Sequence, residues 1–445
     1  MGIYGALSSA VTGLRAQAHS LENISGNIAN SQTTGYKRIE TDFLDLIPDA
    51  PVSRQVPGAV LAQSRSTNDV QGDIKTVTNE TFVALNGNGF FVVEPTVGQS
   101  DGQPVFAGTN FYTRRGDFEI DKAGRLVNGA GYYLKGLDVD PGTGNVSGSV
   151  PKIIEISNAF LEARPTTTIN YGANLPQLPK TANYKPTEPG SELLRVDLQG
   201  RDIMGEHEDE FINSSIYGGA TTIYAENGAP ADLQFRWAKA DGDTWNLYYL
   251  TKSEAADDQA AWKWVDQDFS FGSNGVMENP TTDTTNLNTV NINGVAIANV
   301  SLSHGAQGLS QFADVNGAVS VSTLSQNGYG AGEFVAVAID DSGRVVASYS
   351  NGERIDVAQV VTAQFNAVNK LKRLDGGIFS GTSESGEAIL DISGSGIIGA
   401  ALEASNTDIS DEFTKLIVTQ QAYAASTRIV STADEMLQES LSMVR

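Results

Sequence analysis

Apolar positions recur at a four-and-three spacing at both ends of the chain. Ile3, Leu7, Ala10, Leu14, Leu21, Ile24 and Ile28 fall on one helical face, with Gln17 the one polar interruption. Near the other end Ile409, Phe413, Leu416, Tyr423, Val430, Leu437, Leu441 and Val444 keep the same spacing, with Gln420, Thr427 and Asp434 as polar members. This is the period of a helix that packs along one stripe. Ser405 or Asp408 can cap the second helix, and acidic residues crowd its first turn. Two terminal helices of similar length can pair, so residues 1–33 and 402–445 are expected to form a coiled-coil core.

Between the ends the period changes to two. "FVALNGNGFFVVEP" reads as strands flanking Asn-Gly turns. Ile120-Asp121, Gly124-Arg125 and Val127 are echoed by Ile339-Asp340, Gly343-Arg344 and Val346, and each set reads as a hairpin with a short turn. One discontinuous β domain is therefore expected from 71–175 and 321–380. Residues 176–320 hold all four tryptophans, and "TWNLYYL" alternates like a strand. Their proline-rich entry is linker-like, so they read as an inserted outer β domain. Residues 34–70 and 381–401 are rich in Gly, Ser, Pro and Gln and read as extended linkers, with Gly394, Gly396 and Gly399 as a hinge. The fold class is mixed, mostly β, with paired terminal α-helices.

All 14 prolines lie between Pro48 and Pro280, which leaves both ends free to be helical. The N-terminal helix is intrinsically weak. Gly5, Gly13 and Gly26 each cost about 1 kcal/mol against Ala, so this segment needs a packing partner to become helical. Residues 1–30 carry only Arg15 and Glu22 as charges, which suits an enclosed helix.

The chain has 445 residues, net charge −24 and no cysteine. The charge argues against nucleic acid and anionic membranes, and it makes copies of the chain repel, so salt should favour assembly. Disulfides and cysteine-bound metals are excluded. No segment is apolar for the roughly 20 residues a membrane span needs. The N-terminus lacks a basic start and Arg15 interrupts its apolar stretch, so no cleaved signal peptide is expected.

Candidate chemistry is sparse. "GSGIIGA" at 394–400 matches a dinucleotide fingerprint but lacks the second strand of a βαβ unit. "DVDPGTGNV" from Asp138 lacks the glycine and glutamate of a calcium loop, and a plain turn is expected. The run Glu206, His207, Glu208, Asp209, Glu210 reads as a solvated loop. His19, His207 and His304 stand in no nucleophile or zinc motif. No catalytic residue, cofactor or metal is expected.

Asn23, Asn27 and Asn30 share one helical face, an odd choice for residues that form helices poorly. They belong to "NIANSQTTGYK", where Asn27, Ile28, Ala29, Asn30, Thr33, Gly35, Tyr36 and Lys37 match the signature "N-I-A-N-x-x-T-x-G-Y-K". That start resembles the bacterial flagellar rod and hook proteins, with Gly26 where the family often has another Asn. "LEASNTDISDEFTKLIVTQQAYAASTRIVSTADEMLQ" resembles the family's closing helix, and "GNGFFVV", "YTRRGDFEID" and "GRLV" its β domain. The insertion is similar to the outer domain of the family's hook branch. The resemblance implies an extracellular, non-enzymatic subunit that polymerises with itself into a curved hollow tube, a universal joint between motor rod and filament. Its implied partners are the distal rod protein, the hook cap, the hook–filament junction proteins and the flagellar type III export apparatus. The implied assembly residues are Leu7, Leu14, Leu21, Asn23, Asn27, Ile28, Asn30, Gly35, Tyr36, Phe413, Leu416, Tyr423, Leu437 and Leu441. The asparagines are expected to bond neighbouring subunits and exposed backbone, the other reading being that they cap and end the helix. Other readings of the chain are a distal rod protein with an insertion, a filament cap or adhesin, and a secreted β-rich hydrolase with a carboxylate pair.

Overall fold

The computed structural model describes residues 3–46, 59–100, 103–305 and 308–442. The chain divides into two compact units. One comprises Met1–Asn158, Val335–Ser348 and Arg354–Arg445, the other Ala159–Phe334 and Tyr349–Glu353.

The first unit holds both long helices, Ile3–Ala29 and Ile409–Ser442. Asp408 caps the second: its Oδ1 accepts the amides of Ser410 at 2.8 Å and Asp411 at 3.4 Å, satisfying donors with no partner inside the helix. The helices run side by side and antiparallel, with Asn27 against Glu412 at one end and Leu7 near Leu437 at the other.

Strand Phe90–Ser100 pairs with Phe111–Thr113, Tyr132–Val139 and Thr362–Gln364, and Tyr132–Val139 pairs in turn with Arg354–Val360. Strands from both halves of the sequence thus share one sheet, the early ones at its centre and the late ones on either side. Phe90, Val92, Tyr112, Leu137, Val361, Phe365 and Phe379 close its core. The echoed turns are the same device used twice. Asp121 Oδ1 accepts the amides of Ala123 and Arg125, both at 2.8 Å, and Asp340 Oδ1 those of Ser342 at 2.9 Å and Arg344 at 2.8 Å. Each turn closes through a positive-φ glycine, Gly124 at 81° and Gly343 at 75°.

The stretches read as linkers carry paired strands. Ile39–Leu46 and Ala59–Ser66 form an antiparallel pair with Ile39 opposite Ser66. The pair lies along the N-terminal helix, where His19 Nε2 is 3.0 Å from Ser64 Oγ. Further on, Ile389–Asp391 pairs with Thr362–Gln364, Ile397–Gly399 with Val83–Leu85, and Ala401–Glu403 with Ile74–Thr76. Composition pointed to loops here, but each strand has β-branched or long apolar residues and a strand partner.

The second unit contains two sheets. In one, Ser215–Tyr224, Pro230–Lys239, Thr244–Leu250 and Ala260–Phe271 lie in antiparallel succession. In the other, Thr168–Asn174 runs parallel to Val295–Ser303 and antiparallel to Ser320–Gln326. These pairings place 168–174 and 321–326 with the inserted unit rather than with the β domain expected to hold them. Within "TWNLYYL", Trp245, Leu247 and Tyr249 enter the main core with Tyr171, Trp237 and Phe269. Tyr248 faces a second cluster with Leu198, Phe211 and Trp262, so the strand is buried on both sides. The acidic run expected as a loop forms a short 3-10 turn, Gly205–His207, and a helix, Glu208–Asn213. Glu208 there accepts from Trp262 Nε1 at 3.1 Å, and Glu210 pairs with Arg195 at 2.8 Å.

Candidate functional site

The N-terminal helix ends where its asparagines begin to work. Asn27 is buried, and its amide spans two elements. Nδ2 donates to Ile39 O at 2.8 Å and Glu412 Oε2 at 3.1 Å, while Oδ1 accepts from Ile39 N at 2.9 Å and Tyr36 OH at 3.3 Å. Asn27 therefore pairs with a strand backbone as another strand would, and also ties the two helices together. Asn23 Nδ2 reaches Thr41 Oγ1 at 2.8 Å and Ser64 Oγ at 3.2 Å. Asn30 Nδ2 bonds Gly26 O at 2.9 Å and its Oδ1 accepts from Thr33. Each asparagine thus has its partners inside its own chain. Both donors and both acceptor positions of the Asn27 amide are filled within the chain, two of them by the Ile39 backbone, and Asn30 is the first residue past the helix.

Gly35 then turns the chain with φ 64°, and a Cβ there would lie 2.7 Å from the backbone of Arg114. Tyr36 is buried, with the Arg373 guanidinium 4.2 Å above its ring. Next comes a node of three buried charges. Lys37 Nζ is 2.5 Å from Glu403 Oε1 and donates to Val70 O at 2.7 Å. Arg114 reaches Glu403 Oε2 at 3.2 Å and also donates to the carbonyls of Leu85 and Gly87. The Gly72 amide donates to Glu403 Oε1 at 2.9 Å. All three charged side chains are at most 1% exposed. Burial lowers the Lys37 and Arg114 pKa values, and Glu403 opposes it at both. Just beyond, Asn406 accepts the Arg38 amide at 2.7 Å and donates to Thr67 and Val70.

The helix seam differs from its expected form. On the N-terminal helix Leu7, Leu14, Leu21 and Ile28 are half-buried, while Ala10, Ala16, Ser20, Ile24 and Asn27 are the buried positions. On the C-terminal helix Leu416 and Leu437 are half-buried, but Phe413 is 48% and Tyr423 41% exposed. Gln420, Thr427 and Asp434 are exposed too; Glu412, Thr419 and Ala433, each one residue earlier in the heptad, are buried instead. One residue is about 100° of helix rotation. Small side chains let the helices approach, and Glu412 is held there by Asn27 and by Lys415 at 3.0 Å. The side chains of Ile3 and Leu441, and all of Val444, lie outside the described residues.

The glycines read as a hinge have another reason to be glycine. A Cβ at Gly394, Gly396 or Gly399 would meet the carbonyl oxygens of Ser342, Asn86 and Ile339 at 1.7, 2.4 and 2.2 Å. They permit close backbone contact, a reason for glycine that needs no hinge. Glu403, Arg114 and Asn406 were not singled out in the sequence, and Glu412 was read only as a first-turn acid. Glu403 did leave a signal: it is the lone charge between Asp391 and Asp408. Among the described residues no cluster of three or more His, Cys, Asp or Glu could hold a metal, and no helix is long and apolar enough to cross a membrane.

Four family profiles match successive parts of the chain. They are the flagella basal body rod protein at 7–37, the flagellar hook protein FlgE/F/G D1 domain at 84–171, the flagellar basal body protein FlaE D2 domain at 208–329 and the flagellar basal body rod FlgEFG protein C-terminal region at 399–443. The flagellar hook protein FlgE of Salmonella typhimurium is 30% identical over 438 residues, covering 97% of this chain and 98% of that one. That of Brucella suis is 29% identical over 452 residues and covers 98% of each. The crystal structure of the Helicobacter pylori flagellar hook protein FlgE2 shares the fold at TM-score 0.50 and 15% identity, covering 74% of this chain and 98% of that one. With a relative at this identity aligned over nearly its whole length, the chain belongs to the flagellar hook protein FlgE family, the structural subunits of the bacterial flagellar hook.

Proposed function

We propose that copies of this chain polymerise through their terminal helices into a curved hollow tube outside the cell, which passes torque from the motor rod to the filament as a universal joint. One observation carries the reading. The C-terminal helix of a single chain leaves Phe413, Ile417, Val418, Tyr423, Ile429 and Met436 between 41% and 60% exposed. Large apolar side chains in such number along one helix call for cover, and a like chain can supply it.

In this reading the helices form a coiled-coil core around a central channel and the β units lie outside. The partners are further copies of the chain, the distal rod protein, the hook cap and the hook–filament junction proteins, and delivery is by the flagellar type III export apparatus. The role is structural, with no catalytic step. The test is polymerisation of the purified chain followed by negative-stain electron microscopy. Native chain should give short curved tubes, and F413D/Y423D should remain monomeric with both units folded. Normal tubes from F413D/Y423D would sink the proposal.

A further inference from the structure

We propose that Glu403 is the positioning residue that fixes the terminal helix pair to the β domain of the first unit, so that the two move as one body. The claim goes beyond the hook assignment and puts bending elsewhere than at the linker-like segments beside the helices.

The argument starts from charge. One carboxylate serves two cations in a site closed to water. Each buried cation would be costly without a partner, and Glu403 is the acid within reach of both. The partners come from different parts of the chain. Lys37 follows the N-terminal helix, Arg114 leaves strand Phe111–Thr113 of the β sheet, and Glu403 ends the strand Ala401–Glu403 that leads into the C-terminal helix. Removing the carboxylate therefore releases three segments together. Buried ion clusters add little net stability, but they penalise any arrangement that separates their members, which is how they fix register.

The backbone around the node agrees. A Cβ at Gly72 would lie 2.0 Å from Ala404 O, and one at Gly35 would lie 2.7 Å from the Arg114 carbonyl carbon. The Gly35 amide donates to Glu403 O at 2.8 Å. Segments in contact this close cannot slide past one another while the node holds.

Hydrogen exchange by mass spectrometry on the full-length isolated chain tests the claim without requiring assembly. The variants are E403Q, K37M and K37M/E403Q. In E403Q, peptides spanning residues 34–40 and 70–76 should exchange roughly tenfold faster or more, the scale of one lost charged partner. Peptides from strand Phe90–Ser100 should keep native protection, which a general loss of stability would not allow. K37M/E403Q should exchange more slowly than E403Q, because it buries one unpaired cation instead of two. Tryptophan fluorescence, confined to the second unit, should be native in all three. Unchanged protection in E403Q would overturn the proposal. So would K37M slowing nothing in the E403Q background, or the Phe90–Ser100 peptides loosening in step with the others. The last two criteria still decide if E403Q is severely destabilised.

Discussion

At the residue scale the chain uses asparagine where a helix must meet a strand. Asn27 is positioned by helix geometry and satisfied by Ile39, Tyr36 and Glu412, so replacing it strips partners from buried groups. N27A should cost the first unit about 2–4 kcal/mol, read as a lower urea midpoint by far-UV circular dichroism. N23A, whose partners are hydroxyls near the surface, should cost under about 1 kcal/mol. Equal effects from the two would contradict the assignment. Asn23 and Asn27, four residues apart, both meet the hairpin of residues 39–66, while Asn30 falls past the helix end and bonds locally. Sequence periodicity could not identify these partners, because Ile39 and Glu412 reach that face only through the hairpin and the second helix. G394A belongs to the same scale. The added methyl has no room beside Ser342 O, so it should lower the first unit's melting temperature. A native melting temperature would return this glycine to the role of a hinge.

At the element scale the strongest periodicities proved the most legible. Both terminal helices and the repeated Asp–Gly hairpins stand where the pattern put them, because helix period and turn chemistry are local signals. Strands over 397–399 and 401–403 were hidden, since each depends on a partner more than 300 residues away, and those over 39–46, 59–66 and 389–391 were hidden by their polar, linker-like composition. The rotation of the C-terminal helix was hidden for a related reason. Pattern reading assigns the largest apolar residues to the seam, whereas one chain by itself buries Thr419 and Ala433 and leaves Phe413 and Tyr423 about half exposed. F413A and Y423A should therefore change the isolated chain's stability by less than about 0.5 kcal/mol while raising the concentration needed for polymerisation. A large loss of monomer stability in either variant would mean that these side chains pack within their own chain.

At the scale of the whole molecule the two units should respond to pH separately, and the four tryptophans report the second alone. Burial pushes the Tyr249 hydroxyl up to about 12 and raises Tyr171 and Tyr248 as well. Their neutral forms are favoured in the folded state, so the unfolded chain ionises first. Stability is intact below about pH 10 and then falls by up to about 1.4 kcal/mol per pH unit for each tyrosine. Lys239, lowered by burial, offsets part of this below its ordinary value. On the acid side burial lowers His304, so stability held above about pH 6.5 declines as pH falls and the unfolded chain takes up the proton first. Tryptophan-monitored urea midpoints should therefore plateau between these limits and drop on both sides; a midpoint that rose above pH 10 would contradict the burial of these tyrosines. The net charge of −24 opposes association, so polymerisation should speed up with added salt.

The most direct measurement is immunogold electron microscopy of detached flagella, using an antibody raised against residues 176–320. Label confined to a short curved segment between basal body and filament is the predicted result. Label on the straight rod, or on no part of the flagellum with an antibody that binds the purified chain, would contradict it.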